Sequence, residues 1–429
     1  MALDGVPFDI LVRFRDVLPN LSELMDRGGW GVMRAIDPPI TVPAWACMFT
    51  GRDPGQLGFY GFRHLKRGGY ESYIVSSRSL RFRYVWEVMG LKSVAIGVPP
   101  GYPARRYGIW ISDFLTPGHE GPWIHPESLR EDVERVSGGY VFDIEYRTER
   151  KREAWEELVE MTEKRWRVAR YLAERESWDI MVLHEIGTDR VHHLYQKYYD
   201  PQHPQYEPGN ELEDMVERYY VMVDGLIEDL IKASGDADVL VLSDHGNQAQ
   251  RGVYAINMWL MDEGYLTLRS EPRRGENIEE ADVDWGRTQV WAWGGYYSRI
   301  FINMRGREPK GIVSREEYED LVRELRRKLT VMKAPWGHIQ NTILRPREIY
   351  RDVRGDPPDL MLYMDNVRVR PVQTIGYESP WLGENDTGPD DSLHSFEGIY
   401  IATFMEHGKR DLYALQTAEL IQEYFGRKG

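Results

Sequence analysis

The chain has 429 residues, a net charge of -15 and a single cysteine, Cys47. That length suits one large domain carrying insertions, and the lone cysteine rules out an internal disulfide or a cysteine-based zinc cage. The acidic balance argues against a nucleic-acid partner or an anionic membrane surface, whereas an acidic cleft would suit divalent cations.

The opening segment, "MALDGVPFDILVRF", carries Asp4 and Asp9 where a secretory peptide would be apolar. No apolar run approaches the ~20 residues of a membrane span. A soluble, cytoplasmic protein is expected. Asp4 closes the first expected strand in "LDG", and that strand is expected to be short because only Met-Ala-Leu precede it. Next comes "PPITVPAWACMFTG", in which Pro43 at the first turn predicts a helix start. Thr41 then reads either as a plain N-cap or as a hydroxyl facing the positive end of the helix dipole, where a phosphate would be favoured.

Strands are predicted at 93–98, 178–186, 237–244, 299–304, 359–364 and 398–403, and helices at 151–175, 211–233, 314–330 and 411–426. Continuous apolar strands alternating with amphipathic helices predict an α/β fold, a parallel sheet with helices on both faces. Ligands in such folds gather beyond the carboxyl ends of the strands. The Gly-, Pro- and Arg-rich stretch 101–150 reads as a long loop region over that same end. Residues 266–350 open on the charged "RSEPRRGENIEEADVDWGR" and read as a small inserted α+β cap. They leave 1–265 and 351–429 as the two parts of the core.

After the strand at 178–186 comes "GTDRVHHLYQKYY". With a helix starting near Thr188, Asp189 and His193 share one face. They could bite one metal ion, or be an N-cap acid followed by a surface imidazole. His192 falls on the wrong face, and His184 reads as a strand residue. The strand at 237–244 ends on "SDHG", so Asp244 and His245 are either turn residues or ligands at a strand end. His394, in "DSLHSFEGIYIAT", sits in a polar loop before an apolar strand. In the cap, Trp291, Trp293, Tyr296 and Tyr297 read as core or interface residues, or as a surface that stacks on a base or sugar.

Taken together, "LDG", "TVPAWACMFTGRDPGQLGFYGF", "GTDRVHHLYQKYYDPQHPQY", "VLVLSDHGNQ" and "LHSFEGIYIA" resemble the alkaline phosphatase superfamily, and within it the type I phosphodiesterase/nucleotide pyrophosphatase branch. The resemblance spans nearly the whole chain and is similar in particular to a prokaryotic group of predicted phosphohydrolases or phosphomutases. It implies an alkaline-phosphatase-like fold and a two-metal site. Asp189, His193 and His394 would hold one ion and Asp4, Asp244 and His245 the other, with Thr41 as nucleophile. It also implies two divalent ions, zinc or else manganese, and a small-molecule phosphoester or nucleotide as substrate, with a phosphomutase using the same residues as the alternative. A non-catalytic metal-binding protein of this fold is the less favoured alternative, since such proteins usually lose some of these residues. The chain departs from the family pattern at Phe62, where nucleotide pyrophosphatases carry an Asn that binds phosphoryl oxygens. Arg63 or His64 could replace it, and each reads equally as a plain loop residue.

Overall fold

The computed structural model describes residues 1–66 and 68–428. At its centre five strands run parallel in the spatial order Leu240–Leu242, Ala2–Leu3, Ile180–Glu185, Ser93–Ile96 and Ile109–Ile111. Glu397–Ala402 joins Leu240–Leu242 antiparallel and is followed by Gly29–Arg34, while Ile124–His125 closes the other side, also antiparallel. Side chains alternate across each strand. Leu3, Val94, Ile96, Leu183, Val241, Ile399 and Ile401 enter one core, and their neighbours Ala2, Ala95, Val182, Leu242 and Tyr400 enter the other. Both faces are therefore apolar, and each needs a helical layer.

Lys151–Arg175 covers the first face with Leu158, Met161, Val168 and Leu172. Thr41–Thr50 covers the second with Trp45, Met48 and Phe49. Each such aliphatic or aromatic side chain, fully buried, contributes about 1.5–3 kcal/mol. The predicted helix at 151–175 matches its element to the residue. The others begin later, at Met215, Arg315 and Gln416. Ser314 sets one of these starts, accepting from Glu317 N in a capping box.

The runs at 299–304 and 359–364 do not join the parallel sheet. Ser298–Ile302 and Leu360–Tyr363 lie in a separate antiparallel sheet with Val290–Trp293 and Thr342–Leu344. Arg315–Thr330 packs on it through Leu321, Val322, Leu325 and Leu329. An apolar run buried on both faces has the same pattern in either sheet, so periodicity alone could not sort them. This second core also draws in Tyr254, Leu260 and Ile375, so it takes residues from both sides of 266–350. The stretch 101–150 carries short elements of its own, including Ile109–Ile111 and the helix Arg130–Ser137. Among the described residues no helix is long and apolar enough to cross a membrane.

The parallel strands all end on one side. Asp4 directly follows Ala2–Leu3, the helix Gly187–Tyr199 starts two residues after Ile180–Glu185, and Asp244 lies two residues past Leu240–Leu242.

Candidate active site

Asp189, His193 and His394 offer ligand atoms that all lie within 4.8 Å of one another, and so do Asp4, Asp244 and His245. All six side chains are buried. The two trios are neighbours: the rings of His245 and His394 stack with centroids 3.6 Å apart. Thr41 Oγ1 sits beside them, 3.3 Å from Asp4 Oδ1 and 3.2 Å from His245 Nε2.

Local structure explains each placement. Ile40 is the N-cap and Thr41 the first residue of the helix, so the Thr41 hydroxyl has no capping role and turns to Asp4 and His245. Gly5 turns the chain at φ 63°. A Cβ there would collide with Asn247 Nδ2 and lie 2.8 Å from Asp189 Oδ1, which is why glycine follows Asp4. Asp189 stands in the first turn of Gly187–Tyr199 and is not its cap. It reaches His193 Nε2, four residues on, at 3.3 Å.

Each imidazole is held by its other nitrogen. His193 Nδ1–H donates to Asp390 Oδ1 at 2.5 Å, His245 Nδ1–H to the Gly246 carbonyl at 3.0 Å, and His394 Nδ1–H to the Pro39 carbonyl at 2.7 Å. Carbonyl and carboxylate oxygens only accept, so each Nδ1 carries a proton and Nε2 is the nitrogen each ring turns to the site. His394 Nε2 and Asp244 Oδ2 are buried and have no hydrogen-bond partner. Two buried polar atoms without partners, three converging carboxylates and three Nε2 atoms form a donor set that divalent cations would satisfy. The residues fit a pair of divalent ions.

The electrostatics separate the two trios. Burial and the nearby Asp4 push the Asp244 carboxyl well above its usual range. Burial lowers His245, and burial with His245 lowers His394 well below the ordinary imidazole value. Burial works to raise Asp189, but His193, His394 and Arg190 hold it well below the usual carboxylate range. Burial lowers His193, but Asp189 and Asp390 outweigh it and lift the ring to about 10, so a metal ion on Nε2 would take the place of a proton shared with Asp189.

The remaining predicted residues divide. Arg63 is half-exposed, lines the cleft above Thr41 and lies 3.6 Å from Glu279. The structure does not bring His64 to that cleft. His64 accepts from Tyr60 N at 3.3 Å and packs edge-on against Phe59 and Tyr73, and burial lowers it to about 3. Phe62 does line the cleft, with Phe114, Tyr146, Tyr296 and Tyr297. Trp291 and Trp293 are core residues, whereas the Tyr296 ring stacks on His394 at 3.6 Å.

Several partners had no sequence signal strong enough to single them out. His184 is a strand residue, as its sequence predicts, and its Nε2–H donates to Asp4 Oδ2 at 2.7 Å. Trp45 Nε1–H donates to the same oxygen at 2.8 Å, turning Oδ1 toward Thr41. Asn247 donates to Asp189 Oδ1 at 3.2 Å, and Arg190 to Asp189 Oδ2 at 2.8 Å. The available hints were an imidazole inside an apolar run, an Asn two residues past "DH", and the "DD" pair upstream of His394. His192 turns away, bonded to Gln196 and Tyr220.

Residues 1–390 match the type I phosphodiesterase / nucleotide pyrophosphatase family. The chain belongs to that family. Its members are metal-dependent hydrolases acting on phosphoester or pyrophosphate bonds. Among solved structures, the fold is similar to phosphonoacetate hydrolase from Sinorhizobium meliloti 1021 in complex with phosphonoformate. The TM-score is 0.62 at 15% identity, covering 97% of this chain and 92% of that one. It is also similar to human ectonucleotide pyrophosphatase / phosphodiesterase 5, with a TM-score of 0.57 at 12% identity over 99% of this chain and 94% of that one. An inactive threonine-to-alanine variant of the murine protein, in complex with AMP, gives 0.54 at 12% identity over 99% and 94%. No curated protein sequence matches the chain.

Proposed function

We propose that this family member hydrolyses phosphodiester or diphosphate bonds of a small molecule, with Thr41 as nucleophile and two divalent metal ions as cofactors. The observation that carries the reading is the position of Thr41 Oγ1, free of any capping role and within 3.3 Å of Asp4 Oδ1 and 3.2 Å of His245 Nε2. Asp189, His193 and His394 would hold one ion and Asp4, Asp244 and His245 the other. Three carboxylates and three imidazoles form a mixed O/N set suited to zinc, with manganese the alternative.

When bound, such ions supply Lewis-acid stabilisation of a threonine alkoxide and of charge on the phosphoryl oxygens. The chain's own residues do the rest. The start of Thr41–Thr50 holds the hydroxyl at the carboxyl end of the sheet, and His184 with Trp45 fixes which oxygen Asp4 turns toward it. Phe62, Phe114, Tyr146 and Tyr296 wall the cleft and keep water from the buried ligands. Those rings also give the second organic group of a diester an apolar surface to pack on. The AMP carried by the murine neighbour is compatible with a cleft of this kind.

Comparing bis-p-nitrophenyl phosphate with p-nitrophenyl phosphate, each under zinc and under manganese, tests the substrate class. The diester is expected to be turned over faster. A monoester preference of about ten-fold, equal to about 1.4 kcal/mol in barrier, would overturn the choice.

A further inference from the structure

The cleft above Thr41 encloses about 660 Å3 and is lined by five arginines, Arg63, Arg147, Arg190, Arg299 and Arg370, in a chain of net charge -15. Asp143, Glu280 and Asp386 line it as well. Some of these charges are matched. Arg190 forks onto Asp143 at 2.9 and 2.8 Å, and Arg63 faces Glu279. Arg147 and Arg370 are not matched one to one. Both point at a single oxygen, Asp390 Oδ2, at 2.9 and 3.5 Å, and the other oxygen of Asp390 is taken by His193.

Arg370 is 6% exposed, and its Nε–H is buried without an acceptor. A guanidinium N–H left unpaired in the interior costs the desolvation of that group. An oxyanion that accepts from Nε and Nη together is the shape the guanidinium fork recognises. The guanidinium carbon lies 5.4 Å from the centroid of Tyr296, the ring that stacks on His394 at 3.6 Å. The unfilled donor is thus one aromatic ring removed from the metal-ligand candidates. Arg370 and Thr41 line the same cleft.

We infer that the cleft is built for a substrate bearing a second oxyanion, a phosphate or a carboxylate, next to the phosphoryl group offered to Thr41, and that Arg370 with Arg147 binds it. This rests on the reading of Thr41 and the two trios as the phosphoryl site. What it adds is the assignment of Arg370 and Arg147 as the residues that select substrates with a second anionic group.

Calorimetric titration of the zinc-loaded protein tests it, with methylphosphonate, phosphonoacetate and methylenediphosphonate at matched free zinc. The doubly charged ligands are expected to bind at least ten-fold tighter than methylphosphonate, and the tighter of the two identifies the second anion as carboxylate or phosphate. In Arg370→Gln that ratio should fall to within three-fold, and Arg370→Lys, which keeps charge but loses the fork, should fall between. Equal affinity for all three ligands in the unaltered protein overturns the inference. So does a ratio retained in both Arg370→Gln and Arg147→Gln. If Arg370→Gln does not fold, the unaltered protein and Arg147→Gln decide. Binding is read without turnover. A chain that shows the ratio but hydrolyses nothing would defeat the proposed hydrolase and leave this subsite standing, and a diesterase with no ratio would do the reverse.

Discussion

Asp390 Oδ1 stands 2.5 Å from His193 Nδ1, and this contact decides which nitrogen His193 shows to the site. Arg147 holds the far oxygen of Asp390 at 2.9 Å, so the carboxylate is itself fixed. Partners of this kind set the tautomer and raise the basicity of a metal-binding imidazole. Asp390→Asn is therefore expected to weaken metal affinity by about 10- to 100-fold while the fold survives. Competition against a chromophoric chelator measures it, and an unchanged affinity would remove Asp390 from any role in metal binding.

Thr41→Ala should abolish turnover and keep both ions, because the carboxylates and imidazoles, not the hydroxyl, carry the binding. Thr41→Ser should retain substantial activity, since the oxygen is kept. Near-normal rates in the alanine variant would point to direct attack by water. Intact-mass measurement during turnover adds a second check, for a phosphorylated Thr41 that persists and returns its group to the substrate would favour the mutase.

The two trios make separable predictions. His394→Ala and Asp244→Ala should each lose one of two ions by metal analysis, with turnover lost in both. Retention of two ions and full activity in both variants would contradict the assignment. Chelation of the unaltered protein should lower its thermal midpoint. It leaves Asp4 and Asp244 converging in the interior with no cation between them, whereas Asp189 keeps Arg190 beside it.

His64 gives a pH signature away from the metal ligands. Burial, with Arg299 adding to it, lowers His64 from 6.5 to about 3, so the folded protein keeps it neutral where the unfolded chain protonates it. The stability it contributes is present in full above pH 6.5 and is lost as pH falls from there toward 3, at up to about 1.4 kcal/mol per pH unit. His64→Gln should show a shallower loss of urea midpoint between pH 7 and 5 than the unaltered chain. Identical slopes would mean that another group titrates there.

Much of this was readable before any fold was known. The helix over Lys151–Arg175 follows from its period, because one face must be apolar to bury against a sheet. The six ligand candidates and Thr41 stand out because acid and imidazole side chains sit where apolar runs stop, at spacings a helix turn or strand end brings together.

Only the tertiary structure decided which of the apolar runs share a sheet, since burial on both faces erases the pattern that would distinguish them. Only it turned His64 inward and His184 toward Asp4, for a side chain's direction within a loop or strand depends on what packs against it. And only it brought Asp390 to His193 and Arg370 to Tyr296, across 197 residues in the first case. The sequence by itself determined which groups could do the chemistry. Contacts between distant segments, set by how the two cores close on each other, determined which oxygen, nitrogen or guanidinium each group presents.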